Sequence, residues 1–135
     1  MSGLVGFEHV GMTASDMDRT VAFYCDLLGL KLVLRKSVEA GELAFLDAGG
    51  GMLEVLAPAT GAARCRDVPV SEAGLRHLTL AYADVDAAIA RLEAAGVEIA
   101  ERPRAAHNPE MVRRVAFIRD PDGILVELIE RTPGR

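Results

Sequence analysis

Apolar residues along the chain fall into short runs typical of strands and into two longer stretches with helical spacing. In the first such stretch the apolar positions recur three or four residues apart: Met17, Val21, Tyr24 and Leu28. Ser15 precedes this stretch as the expected N-cap, and Gly29 follows it as a stop signal. The pattern therefore predicts one helix between Ser15 and Gly29.

The rest of the first half is predicted to form strands. Leu4 to Met12 precedes the helix, and three short apolar runs separated by turn residues follow it: Leu30 to Arg35, Leu43 to Asp47 and Met52 to Leu56. Residues 4–57 thus read as a βαβββ module.

The second half repeats this order over residues 75–131. A strand from Leu75 to Tyr82 leads to a helix from Val85 to Ala95, with Asp84 as cap and Gly96 as stop. Strands are predicted near Val97 and over Val112–Ile118 and Ile124–Ile129, the last two joined by the turn sequence Asp120-Pro121-Asp122-Gly123. Residues 58–74, rich in Ala, Gly and Pro, form the predicted linker. The fold class is α+β, a single domain over residues 1–135 whose two βαβββ modules form a curved mixed sheet.

An internal repeat supports this division. The segment His9 to Asp18 is echoed by His77 to Asp86, where the histidine, both aspartates and the apolar residue between the aspartates recur. Met52 to Leu56 is echoed by Leu125 to Ile129, but at a larger offset. Such a drift indicates extra residues in a loop of the second half, which we place in residues 103–111.

Four residues with metal-binding side chains occupy equivalent positions in this repeat. Each first strand carries a histidine, His9 or His77, and each last strand carries a glutamate between aliphatic residues, Glu54 or Glu127. Either glutamate alone would be compatible with an ordinary solvent-facing position on a strand. Two of only three histidines at matched positions favour a shared site, because imidazole and carboxylate together suit nickel, zinc, cobalt, manganese or iron.

At this point the chain resembles the vicinal oxygen chelate superfamily, which includes glyoxalase I, methylmalonyl-CoA epimerase, extradiol dioxygenases, and fosfomycin-resistance and bleomycin-binding proteins. The motifs that carry the resemblance run from Phe7 to Arg131: His9-Val10, Phe23-Tyr24, Leu28-Gly29-Leu30, Glu54, His77-Leu78, Phe117 to Gly123, and Glu127-Leu128. It implies a glyoxalase-like fold with one divalent metal ion per site, held by His9, Glu54, His77 and Glu127.

A glutamate at both acidic positions is most similar to glyoxalase I. That resemblance implies a metal-dependent lyase or isomerase acting on a small thiol adduct such as a hemithioacetal, with Glu127 as base and Glu54 as its partner. An acyl-CoA epimerase is the alternative, although Gln is usual there at position 54. The other alternative is a non-catalytic antibiotic-binding protein, which the few aromatic residues disfavour.

The substrate is less defined than the metal site. Glyoxalase I has an arginine four residues after its first metal histidine, where this chain has Thr13, so glutathione is in doubt as the thiol. Arg35, His107 and Arg113 are the candidate substrate-binding residues.

Charge and composition argue against several classes of binding partner. A net charge of -5 leaves no basic field for nucleic acid or anionic lipid. No apolar stretch approaches the length of a spanning helix, and two cysteines are too few for a disulfide framework, so we expect a cytoplasmic protein. The family resemblance implies a homodimer.

Overall fold

The structure, a computed structural model, describes residues 2–135. The chain divides into two compact units, and the boundary falls between Arg64 and Cys65, inside the predicted linker. We call the part up to Arg64 unit 1 and the part from Cys65 to Arg135 unit 2. None of the helices in residues 2–135 is long and apolar enough to cross a membrane.

Unit 1 contains four strands and one helical segment. The helix α1 winds as an α-helix at first and continues as a π-helical stretch over Ala22–Leu27. Strand β1 pairs with β4 in parallel, whereas the β4–β3 and β3–β2 pairs are antiparallel, which gives the sheet order β1-β4-β3-β2. The elements are β1 His9–Thr13, α1 Met17–Val21, β2 Lys31–Val38, β3 Gly41–Asp47 and β4 Met52–Pro58.

Unit 2 has the same arrangement, with sheet order β5-β8-β7-β6 and a parallel β5–β8 pair. Its elements are β5 Leu78–Ala81, α2 Val85–Ala94, β6 Ile99–Ala105, β7 Val112–Arg119 and β8 Leu125–Arg131. The predicted α+β class and the βαβββ order of both halves are confirmed, with one four-stranded mixed sheet in each unit.

The first strand of unit 1 is shorter than predicted. Residues 4–8 lie outside it and expose Leu4, Val5 and Phe7, because β4 begins only at Met52 and offers no partner before His9. The helix cap was also misplaced by one residue. Asp16 caps α1 by accepting a hydrogen bond from the backbone N–H of Arg19, while the Ser15 hydroxyl accepts from the Arg19 guanidinium.

The predicted loop insertion is shorter than residues 103–111. Strand β6 runs to Ala105, so the connection to β7 covers only residues 106–111. Pro103 is tolerated within β6 because this strand lies at the edge of its sheet, where a missing N–H donor breaks no ladder. The predicted turn after β7 is confirmed: Asp120 accepts hydrogen bonds from the backbone of Asp122 and Ile124, and Gly123 has a φ of 86°.

Strict alternation along the central strands positions the candidate site. On β4, Leu53 and Val55 are buried beneath the helix, so Glu54 between them lies on the opposite face of the sheet. On β8, Val126 and Leu128 are buried in the same way, and Glu127 lies on the opposite face. In each unit the helix therefore covers one face, and the glutamate lies on the other, which we call the open face.

Candidate metal centre

In unit 2 the structure brings His77 and Glu127 together on the open face. Nε2 of His77 lies 3.3 Å from Oε1 of Glu127, and the two side chains are 24% and 20% exposed. Two ligand atoms that each lie about 2.1 Å from one ion are about 3.0–3.4 Å apart. The imidazole and the carboxylate are thus spaced as two adjacent ligands of a single metal ion, and the donor set fits the ion that the sequence predicts.

Two neighbours hold this pair. The ring of Phe117, which pairs with Glu127 across the β7–β8 ladder, meets the His77 imidazole edge to face at a centroid distance of 5.4 Å. The hydroxyl of Thr79, opposite Glu127 on β5, donates a hydrogen bond of 2.8 Å to Oε1 of Glu127. Orienting contacts of this kind fix the geometry of metal ligands.

Unit 1 carries the equivalent group. His9 begins β1, and its ring meets Phe45 edge to face at 5.5 Å. Glu54 pairs with Phe45 across the β3–β4 ladder and with Gly11 across the β1–β4 ladder, so the Glu54 and Phe45 side chains share the open face. His9 lies two residues before Gly11 on β1 and therefore faces the same side. Nδ1 of His9 lies 3.4 Å from Oε1 of Glu8, a contact that leaves Nε2 for a ligand role. Unit 1 thus places His9 and Glu54 on its open face, as unit 2 does His77 and Glu127.

Phe45, Phe117 and Thr79 were not among the site residues predicted from the sequence. Phe45 and Phe117 hold the same place in two similar segments, Leu43–Leu46 and Val115–Ile118, and this match was a signal that could have found them. Thr79 has no such signal, because the repeat places Gly11 at its position.

Arg35 lies away from this group. It pairs with buried Ala44 across the β2–β3 ladder and therefore lies on the helix-covered face of unit 1. Its guanidinium bonds to Glu42 at 3.0 Å and to Asp18 of α1 at 2.7 Å, and these hydrogen bonds raise its pKa. Arg35 therefore holds α1 against the sheet.

His107 and Arg113 also lie apart from the His77–Glu127 pair. His107 is exposed in the loop between β6 and β7. Arg113 is 66% exposed, and its Nε lies 3.6 Å from Oε1 of Glu130. Arg113 thus belongs to the surroundings of the α2 N-terminus.

A depression of about 620 Å³ lies beside that N-terminus. It holds an acidic cluster, in which carboxylate oxygens of Asp84, Asp86 and Glu130 lie within 4.8 Å of one another. Each carboxylate already has a partner: Asp84 caps α2 through the Ala87 N–H, and Glu130 accepts from the Val85 N–H at 2.8 Å. Asp86 forms a two-bonded pair with Arg114, which lowers the pKa of the carboxyl and raises that of the guanidinium.

Comparison with known proteins agrees with the fold. Residues 6–128 match the Glyoxalase/Bleomycin resistance protein/Dioxygenase superfamily. The chain belongs to this superfamily, whose members typically bind a metal ion.

Two relatives align with nearly the whole of this chain. The YaeR protein of Escherichia coli (strain K12) is 34% identical over 97% of this chain and all of its own length. A probable chloroplastic lactoylglutathione lyase of Arabidopsis thaliana is 32% identical over 93% of this chain, which spans only 35% of that protein.

Two solved structures have a similar fold. Glyoxalase I from Zea mays superposes with a TM-score of 0.78 at 26% identity, over 94% of this chain and 45% of that one. TnmS3, an antibiotic-binding protein from Streptomyces sp. CB03234, superposes with a TM-score of 0.73 at 25% identity, over 97% of this chain and 99% of that one. Lyases and an antibiotic-binding protein thus share this fold.

Proposed function

We propose that the protein is a metal-dependent lyase or isomerase of the glyoxalase I type, in which His9, Glu54, His77 and Glu127 hold one divalent ion. The observation that carries the proposal is the 3.3 Å spacing of His77 Nε2 and Glu127 Oε1, together with the recurrence of the same histidine, phenylalanine and glutamate group in unit 1. The four ligands are supplied by one chain or by the units of two copies.

The chemistry follows from the ligand set. A bound nickel, zinc, cobalt, manganese or iron ion would stabilise negative charge developing on substrate oxygens. Glu54 and Glu127 are the groups that can take a proton from the substrate carbon and return it to the adjacent carbon, which isomerises the substrate without net loss of atoms. The edge-to-face contacts with Phe45 and Phe117 would hold the two imidazoles in place during this transfer.

The names of several relatives support a proposal for the substrate class. Several relatives near 30% identity are named as lactoylglutathione lyases, which supports a hemithioacetal substrate. Because Thr13 stands where glyoxalase I has an arginine, we propose hemithioacetals of thiols other than glutathione beside those of glutathione itself. The proposed assembly is a cytoplasmic homodimer.

Elemental analysis of the purified, reconstituted protein tests the metal site. We expect about one divalent ion per chain in the wild type, and loss of that ion in His77→Ala and His9→Ala with the fold retained in circular dichroism. The matched control is His107→Ala, which removes an exposed imidazole far from the pair along the chain and should keep the ion. An unchanged metal content in His77→Ala would overturn the proposal. With the ion established, conversion of hemithioacetals is assayed for glutathione and for smaller thiols.

The similarity to TnmS3 favours a second candidate, a protein that binds an antibiotic without chemistry. Metal content discriminates between the two candidates. The second candidate would move to first place if the chain takes up no ion after reconstitution and if its tyrosine fluorescence is quenched on titration with aromatic antibiotics.

A further inference from the structure

We propose that Lys36, on the open face of unit 1, binds a negatively charged group of the thiol carrier and thereby selects anionic substrates. This inference rests on the proposed function, because it names the class of thiol adduct that the candidate metal centre would take. Lys36 is proposed as a specificity-determining residue that contacts the carrier and takes no part in the proton transfer.

Strand pairing places Lys36 on the open face. Lys36 lies opposite Leu43 in the β2–β3 ladder, whereas its neighbour Arg35 lies opposite buried Ala44 and bonds to α1 on the helix-covered face. Successive side chains on a strand point to opposite faces of the sheet. The side chain of Lys36 therefore shares the open face with that of Glu54.

Lys36 is a cation of this face without an acidic partner. Two lysines of β2 lie on the face, and Lys31 lies opposite Asp47, so a carboxylate offsets its charge. Lys36 is exposed opposite an aliphatic residue, and its ammonium forms no ion pair with any of residues 2–135. The charge of Glu54 would be offset by a bound ion. The uncompensated charge of this face is then positive and lies at Lys36.

The distance from Glu54 suits a group well away from the reacting carbon. Leu43 pairs in turn with Leu56 on β4, two residues after Glu54. Two strand spacings and a step of two residues along β4 put the Cα atoms of Lys36 and Glu54 about 12 Å apart. The surface between them carries the half-buried aliphatic side chains of Leu43 and Leu56. A substrate held near Glu54 would thus lay an apolar part on these leucines and bring a more distant group to the ammonium.

The ammonium decides which group that is. Lysine donates charge-assisted hydrogen bonds to carboxylate and phosphate oxygens, and a neutral ester or amide forms weaker bonds with it. Lysine on an edge strand also keeps other sheets from pairing with that edge. That role needs the charge alone and would not distinguish a charged ligand from a neutral one, so ligand selectivity separates the two roles.

Thioethers, which cannot react, test the selectivity without any assay of activity. Calorimetry on the nickel-reconstituted protein compares the S-hexyl thioether of glutathione with its glycyl ethyl ester, and that of 3-mercaptopropionate with its amide. We expect the charged member of at least one pair to bind about fivefold more tightly. This difference should shrink as salt rises from about 0.05 M to about 0.5 M, because ions screen an exposed charge pair.

Variants of Lys36 then assign the effect to its charge. Lys36→Met keeps an unbranched side chain without the ammonium, and the ratio of the two dissociation constants should fall to about one. Lys36→Arg should keep the ratio, and so should the matched control Lys31→Met, which removes a charge on the same strand. A wild type that does not discriminate within either pair, or a Lys36→Met variant that discriminates as the wild type does, would overturn the inference.

Turnover gives a second readout. Because Lys36 would contact the carrier and not the reacting carbon, Lys36→Met should raise KM for an anionic hemithioacetal about fivefold and leave kcat within a factor of about two. A fall in kcat at unchanged KM would contradict a role in binding the carrier.

The outcomes separate the two proposals. A wild-type chain that takes up no nickel contradicts the proposed function itself. A chain that takes up nickel but binds the charged and neutral thioethers equally, or binds neither, leaves the metal centre intact and overturns only the role of Lys36.

Discussion

At the scale of single residues, the hydroxyl of Thr20 in α1 is completely buried and has no hydrogen-bond partner among residues 2–135. A buried, unpaired hydroxyl costs about 1–3 kcal/mol. Thr20→Val replaces it with a methyl group of similar size and helix propensity, so we expect a gain of about 1 kcal/mol in the free energy of unfolding. Urea unfolding measures this, and Thr13→Val, at an exposed position, should change stability by less than about 0.5 kcal/mol. A destabilised Thr20→Val variant would show that the hydroxyl has a partner in solution.

The proposed proton transfer by Glu54 and Glu127 gives a second expectation at this scale. Glu54→Gln keeps an oxygen for the ion but cannot take the proton, and general bases contribute about 10²–10⁴-fold to a rate. We therefore expect kcat to fall by about 10²-fold or more with metal retained in elemental analysis. Glu42→Gln, on the helix-covered face of the same sheet, is the matched control and should retain activity. A Glu54→Gln variant with wild-type kcat would exclude Glu54 as the base.

The candidate metal ligands could be picked out from the sequence because the repeat makes their matched positions visible. His9 and His77 are matched residue by residue, and so are Glu54 and Glu127, so their shared faces follow from strand alternation alone. The hydrogen bond from Thr79 to Glu127 was not predictable, because it depends on which residues of β5 and β8 lie opposite each other. That register is set by contacts between residues far apart in the chain.

At the scale of elements, Glu130 anchors the start of α2. Glu130 is 9% exposed, and its carboxylate accepts a hydrogen bond from the Val85 N–H at 2.8 Å, where the helix leaves backbone donors without partners. Glu130→Ala leaves this N–H unpaired, and we expect a loss of about 1–3 kcal/mol in the free energy of unfolding, partly recovered by Glu130→Gln. Glu93 lies on the same helix and forms an exposed ion pair with Arg102 of β6, so Glu93→Ala should cost less than about 1 kcal/mol. Equal losses in the two alanine variants would argue against the anchor.

Helices were easier to predict than the strands that flank them. The cap of α2 at Asp84 and its predicted end at Ala95 agree with the observed Val85–Ala94, because both signals are local. Strand β5 was predicted from Leu75 but starts at Leu78, since its length is set by pairing with β8. The π-helical stretch after α1 was not predicted either, because π and α spacing differ too little to separate in so short a stretch.

At the scale of the whole molecule, one ion pair ties the start of unit 2 to its sheet. Asp67, in the predicted linker, forms a two-bonded pair with Arg119 of β7, which lowers the pKa of the carboxyl. Because the folded pKa lies below the unfolded value, the pair stabilises the fold above about pH 4 and is lost as the pH falls through the folded pKa. We expect the wild type to lose more stability between pH 6 and pH 3 than Asp67→Asn, as measured by urea unfolding at each pH. Identical pH dependences would show that the pair contributes nothing.

The proposed homodimer is the last expectation at this scale. Strand β2 lies at the edge of the unit 1 sheet and exposes Leu32, Val33 and Leu34 by 48%, 61% and 42%. Adjacent exposed aliphatics on an edge strand are typical of a surface that another chain covers. We therefore expect a sedimentation mass near twice the 14.4 kDa of one chain. Val33→Lys places a charge among these side chains and should shift the protein toward the monomer at micromolar concentration, whereas Lys36→Gln, an exposed change on the same strand, should leave the dimer intact. A wild-type mass of one chain would contradict the dimer, and a dimer unaffected by Val33→Lys would place its interface elsewhere on the molecule.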